Sequence, residues 1–396
     1  MNLMSAFVPS SSVDLFADEV LTDPYPVYRE LRAQGPAVRM TAYDAWVLPR
    51  YDVVRSALRD HARFSSERAV AYDDSINDQL AGSVLASDPP EHDALRAVLS
   101  EKLSSRELAT LRDRIVAQAD RLVGSVVERG TFDAVHDLAE IFPVAVVADL
   151  LGLPDDGRDR LLQFAEAGFN VMGPMNARAR LSLPVNAEMF RYAATAMAAE
   201  NVRPDGWAAA VHQAAARGEI EPANALRLLV AYVVAGMDTT INAIGNTIQV
   251  FAQRPDVYRE ITADPGLVSP VFEESLRVES PVQGFFRLTT AVVDLDGVTI
   301  PAREKVFLAF GSANRDERKW VRPDEFDVRR KPVDHLGFGH GVHTCAGQAL
   351  ARLEARAILG ALVRRVSSIE PAGQPVRRLN NVIRGLSSLP VTVQPA

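Results

Sequence analysis

Cys345 is the only cysteine among 396 residues, and it lies near the end of the ten-residue run FGHGVHTCAG, residues 338–347. A single thiol cannot form an internal disulfide, and taken alone it reads as a small buried hydrophobe. Its neighbours open a second reading. Gly339, Gly341 and Gly347 permit backbone conformations and close approaches that a Cβ would block. The run passes into the helical pattern GQALARLEARAILGALVRR, which sets the sulfur just ahead of a helix N-terminus. There, N–H groups and the helix dipole favour thiolate, the form that ligates iron.

Three further spacings could carry chemistry. Residues 223–253 are apolar nearly all round and should be buried in the centre of the protein. A membrane span competes, but Asp238, Thr239, Thr240, Asn242 and Asn246 interrupt the apolar run, and an Asp at mid-bilayer is costly. Thr239 can bond back to the Ala235 carbonyl, bending the helix and opening a gap. A Thr-distorted helix with a paired Asp is the plainer account of the same residues. In DPPEHDALRAVLSEKL, His92 and Arg96 stand four apart on one helix face, either a solvated polar face or a pair of anion ligands. In VFEESLRVES, Glu274 and Arg277 stand three apart among apolar neighbours, as a desolvated pair serving positioning more than stability.

These motifs, in this order, resemble the cytochrome P450 family. FGHGVHTCAG fills its haem-ligand pattern F-G-x-G-x-H-x-C-x-G, AGMDTT its oxygen-activation motif, and ESLR its E-x-x-R motif. The resemblance implies haem b with Cys345 as axial thiolate, Phe338 beside the sulfur, Gly347 completing the loop, and dioxygen as co-substrate. It makes His92, Arg96, Arg287 and His343 partners of the haem propionates. Asp238 then relays protons and Thr239 orients dioxygen. Glu274, Arg277 and Arg330 lock the core, and His335 occupies a further family position of less defined role. The chemistry implied is insertion of one oxygen atom from O2 into a C–H bond. With no flavin or iron–sulfur segment in the chain, electrons are expected from a ferredoxin and its NAD(P)H-dependent reductase. A peroxide-driven peroxygenase would use the same haem without a reductase. A haem sensor would need no proton relay, and a non-haem helical protein would leave Cys345 unexplained.

The pattern is most similar to bacterial enzymes that oxidise para-substituted benzoates and related small aromatics. By position, the pocket would be lined by Leu85, Phe169, Met172, Ala231, Val234, Ala235, Val282 and Phe285. The places where those enzymes hold a carboxylate correspond to Gln79, Gly82, Val230, Ala231 and Val234, with no cation among them. A buried, unpaired carboxylate there would cost several kcal/mol. A neutral phenol, methoxyarene or ester is therefore expected ahead of a benzoate.

To position these residues the chain must be mainly α: one large helical domain over residues 1–396 with a minor β region. Hydrophobic residues make up 47% and charged residues 24%, as in ordinary globular proteins. A net charge of −8, with no Lys/Arg run, argues against nucleic acid. No secretory signal or anchor is read at the N-terminus, and one cysteine suits a reducing cytoplasm, so a cytoplasmic monomer is expected. Residues 1–22 read as an irregular lead-in, DPYPVYRELRAQG as a helix, and AVRM and AWVLP as strands. Residues 64–88 read as a long loop roofing the pocket. Helix follows helix from 105 to 216, TTAVVDLDGVTIPAREKVFLAF reads as a small sheet, and LNNVIRGLSSLPVTVQPA as a terminal hairpin.

Overall fold

The computed structural model describes residues 8–396, so the first seven residues of the expected lead-in lie outside the described residues. At its centre is one helix, Pro222–Gln253. The helices Ile141–Leu151, Leu161–Asn170, Trp207–Ala216, Val268–Glu279 and Gln348–Arg365 pack around it, and Ser105–Val127 lies against Gln348–Arg365. From Ile241 to Gln249 every residue of the central helix is buried. Its length and hydropathy would allow a membrane crossing, yet the protein's own core covers it. The polar residues that interrupt the run are paired inside. Asn242 Nδ2 donates to the Asp238 carbonyl (2.6 Å), Asn246 Nδ2 to the Arg384 carbonyl (3.2 Å), and Thr247 Oγ1 to the Ala243 carbonyl (2.7 Å). Such pairing removes most of the cost of burying amides and hydroxyls.

The β region is a six-stranded sheet in the order Ser10–Ser11, Val38–Met40, Ala45–Leu48, Lys305–Ala309, Gly284–Thr289, Phe64–Ser65. The Asp-Gly turn is real but serves a separate two-stranded hairpin, Val293–Leu295 with Val298–Ile300. Both turn residues, Asp296 and Gly297, have positive φ, which matches the twist of a tight hairpin.

Four expectations of local structure need correction. The lead-in contains the strand Ser10–Ser11 and the helix Asp18–Thr22. The roofing segment is not all loop: Asp74–Leu80 is a helix, capped by the Asp73 carboxylate accepting from Ser75 N–H. Asn77 ties that helix down by exchanging two 2.9 Å hydrogen bonds with the Ala71 backbone. The helical stretch 105–216 breaks at a strand, Thr131–Asp133, which pairs with Pro390–Pro395. The terminal hairpin does not fold on itself. Arg384–Ser388 pairs with Val376–Leu379, while Pro390–Pro395 pairs with Val366–Pro371. Pairing with residues more distant in sequence makes the strands Ser10–Ser11, Thr131–Asp133 and Pro390–Pro395, whereas local capping makes the Asp74–Leu80 helix.

Glu274 and Arg277 are both fully buried and joined by two 2.8 Å hydrogen bonds, and Arg330 Nε adds a third at 2.9 Å. The remaining Arg277 donors reach the carbonyls of Asn314, Pro323 and Glu325, pinning the loop that leads to Cys345. Glu274→Ala leaves Arg277 buried without its counter-charge. It is expected to cost about 3–5 kcal/mol, read as a lowered denaturation midpoint by circular dichroism. Loss of under 1 kcal/mol would show the network to be dispensable.

Candidate functional site

The Cys345 loop has little regular structure, and side chains hold its shape. Leu336–Phe338 is a single helical turn capped by His335, whose Nδ1 accepts from Gly337 N–H at 3.0 Å. His335 Nε2 lies 2.9 Å from Glu273, and Arg352 grips the same carboxylate at 2.6 and 3.0 Å. Burial alone would raise Glu273; the His335 and Arg352 contacts overcome it and hold the carboxyl down at about 2. Arg352 also covers the Phe338 ring at 4.4 Å. Gly341, at φ +73, passes so close to the Leu58 carbonyl that a Cβ would collide with it.

Cys345 N–H donates to the Phe338 carbonyl at 2.8 Å, and the sulfur faces a large internal cavity. Burial pushes the thiol up, opposed by Gly347 N–H, Arg96, Arg352 and Gln348 N–H. The helix N-terminus acts in the expected direction, but in the protein alone burial outweighs it.

Phe338, Gly347, His92, Arg96, Arg287 and His343 line the same cavity. His92 is 2% exposed, with Nδ1 against Asp93 at 3.0 Å and Nε2 buried without a partner. Its ring lies edge-on to His343 at 4.5 Å, and His343 Nε2 is likewise unpartnered. Burial drives His343 down to about 4, against the pull of Asp88. Arg287 is buried and falls to about 10 for the same cause; its one hydrogen bond is to the Phe286 carbonyl, 2.7 Å. Arg96 is also lowered by burial, and neither arginine forms an ion pair among the described residues. Two orphaned imidazole nitrogens and two arginines without counter-charges, facing the Cys345 cavity, fit the two carboxylates of haem. Beside Gly347 nothing lies within 4 Å of where a Cβ would sit, leaving room for a flat ring.

On the opposite wall, Thr239 Oγ1 donates to the Ala235 carbonyl at 2.8 Å, as the motif predicts. Of the residues expected to act in catalysis or to bind haem or substrate, Asp238 alone does not line the cavity. It turns to the far side of the helix, fully buried, where Oδ1 meets Arg378 and Asn242 Nδ2 (2.8 Å) and Oδ2 has no partner. Arg378 also binds Glu166, which burial raises. Sequence patterns missed Arg378 because it lies in a hairpin 140 residues from Asp238. They also missed Glu354, which is fully buried with both oxygens unpartnered, and which burial holds well above the carboxylate range.

All eight expected substrate contacts, Leu85, Phe169, Met172, Ala231, Val234, Ala235, Val282 and Phe285, line the cavity. Of the five positions expected to lack a cation, Gln79, Val230, Ala231 and Val234 do so as well. The structure adds polar residues that no motif indicated, namely Ser83, Asn186 and Arg227.

A family model described as Cytochrome P450 matches residues 266–394. Cytochrome p450 CYP199A2 of Rhodopseudomonas palustris is 42% identical over 395 residues, spanning 99% of this chain and 96% of that protein. The solved structure of Cytochrome P450 CYP109Q5 from Chondromyces apiculatus superposes with a TM-score of 0.83 at 30% identity, covering 98% of this chain and 100% of that one. Cytochrome P450 CREJ, in complex with (4-ethylphenyl) dihydrogen phosphate, superposes with a TM-score of 0.86 at 26% identity, covering 94% of this chain and 98% of that one.

Cys345→Ser removes the only thiol the cavity offers. The purified variant is expected to lose the carbon-monoxide difference band of thiolate-ligated haem; retention of that band would exclude Cys345 as the ligand.

Proposed function

Because the chain belongs to the cytochrome P450 family of haem-thiolate monooxygenases, with dioxygen as co-substrate, we propose that it hydroxylates or O-demethylates a small aromatic compound. Electrons come from a ferredoxin and its NAD(P)H-dependent reductase, and the enzyme works as a cytoplasmic monomer. The observation that carries this reading is the meeting of Cys345, the four expected propionate partners, Thr239 and two Phe rings in one cavity.

When bound, haem supplies the oxygen activation and stores the electrons. The chain's own residues do the rest. Cys345 Sγ would hold the iron, and His92, Arg96, Arg287 and His343 would balance the propionates. Thr239 Oγ1 spends its proton on the Ala235 carbonyl, which leaves the oxygen's lone pairs to accept a hydrogen bond from the reacting group and keep it in place. Asp238 delivers the proton. Arg378 and then Glu166 lie between it and solvent, their side chains 13% and 32% exposed against 0% for Asp238. Arg378 ties Asp238 Oδ1 away from the cavity until the pair opens.

Thr239→Ala is expected to consume NAD(P)H at a comparable rate while releasing hydrogen peroxide in place of most product. Unchanged coupling would sink the role of Thr239. Wild-type turnover with hydrogen peroxide alone, as fast as with ferredoxin and reductase, would favour a peroxygenase instead.

The aromatic reading rests on Phe169 and Phe285, and on the para-substituted aryl ligand of one structural neighbour. Outward of Thr239 the helix presents Val230, Ala231, Val234 and Ala235, with no cation among them, so a benzoate would bury its charge unpaired. A 4-methoxyphenol is expected to shift the haem spin state more completely than 4-methoxybenzoate, and the reverse order would refute this account of the pocket.

A further inference from the structure

Arg227 has no task in the chemistry above. It lines the cavity, and its Nη1 donates only to neighbours on its own helix, the Ala223 carbonyl (3.3 Å) and Asn224 Oδ1 (3.2 Å). Among the described residues it forms no ion pair. Gly82 of the roof sits directly over it: a Cβ there would lie 3.9 Å from Arg227 Nη1 and 3.6 Å from Glu91 Oε1, and φ is +75. Glu91 thus flanks the same glycine without pairing with the guanidinium. Gln79 and Ser83, also in the lining, are the uncharged polar groups of that roof.

The position of Arg227 along the helix gives it meaning. Arg227, Val230, Ala231 and Val234 follow i, i+3, i+4, i+7 spacing, one stripe facing the cavity. At about 1.5 Å per residue, Arg227 stands ~12 Å outward of Ala235 and ~6 Å outward of Ala231. A ring held between Phe169 and Phe285 with its reacting carbon beside Thr239 puts a benzoate carboxylate on the apolar part of the stripe. A carboxylate set further out by two to four bonds covers roughly 2.5–4.5 Å of that distance, since three bonds of extended chain cover about 3.5 Å. The Arg227 side chain, held only by bonds of 3.2 and 3.3 Å to its own helix, swings inward over the rest.

We propose that Arg227 is an anion anchor at the outer end of the cavity, and that the substrate is an aryl acid with a short spacer between ring and carboxylate, an arylpropenoate or arylalkanoate. This rests on, and refines, the aromatic reading above.

The test uses the haem-loaded enzyme and spin-state titrations of matched acid and primary-amide pairs: 4-methoxybenzoate, 4-methoxycinnamate, 4-(4-methoxyphenyl)butanoate and, without a ring, decanoate. The acid-over-amide affinity ratio is expected to be near one for the benzoate pair. For at least one longer aryl pair it should reach about tenfold, the lower end of a charged hydrogen bond. In Arg227→Gln that ratio should collapse toward one, and in Arg227→Lys it should be partly kept. Equal ratios at every length, or ratios that survive Arg227→Gln, overturn the anchor. If only the decanoate pair binds, with an Arg227-dependent ratio, the anchor stands and the aromatic reading falls. Binding of none of the eight compounds removes both.

Discussion

One carboxylate organises the reactive end of this molecule. Glu273 sits on the Val268–Glu279 helix and is shared between His335, which caps the turn before Phe338, and Arg352, which rises from the helix after Cys345. The loop between those two residues has almost no backbone ladder, so its shape depends on the charge at Glu273. A lysine at 352 could not grip the carboxylate through two donors and lie flat on Phe338 at once. One residue along the same helix, Glu274 carries the deeper network with Arg277 and Arg330. Neighbouring acids on one helix turn thus serve two loops, one ending at the sulfur and one approaching it.

The central helix solves a related problem. It must be apolar enough to form the core and polar enough to serve a reaction, and it divides the two tasks by face. Ala231, Val234, Ala235 and Thr239 look into the cavity; Asp238, Asn242 and Asn246 look toward the C-terminal strands. Each polar side chain on the second face has a partner supplied from elsewhere in the chain or from the helix itself. Asp238 Oδ2 is an exception, and a buried carboxylate oxygen left unpaired is costly enough to mark a working group.

Much of this was legible in the sequence because the decisive residues lie in short, contiguous motifs. FGHGVHTCAG, AGMDTT and ESLR each place several groups within a turn or a loop, and Arg287, Arg330 and His343 fall where those motifs imply. Long-range pairing was not legible. Arg378 reaches Asp238 and Glu166 from a hairpin whose sequence carries no pattern for it. The strand Thr131–Asp133 exists because Pro390–Pro395 lies beside it. No motif marked Arg227, and only the roof folding over Gly82 reveals what it faces.

The C-terminal strands also set the order in which the site can be completed. Cys345, Thr239, Phe169 and the roof are all synthesised before Arg378, whose charge compensates Asp238, and before Asn381, which binds the Asn170 backbone at the end of the Phe169 helix. Pro390–Pro395 then joins Val366–Pro371 to Thr131–Asp133, closing contacts across some 260 positions. A nascent chain therefore carries a bare aspartate in its central helix until its last strands arrive. Assembly is gated by late, distant contacts, the kind that slow folding most.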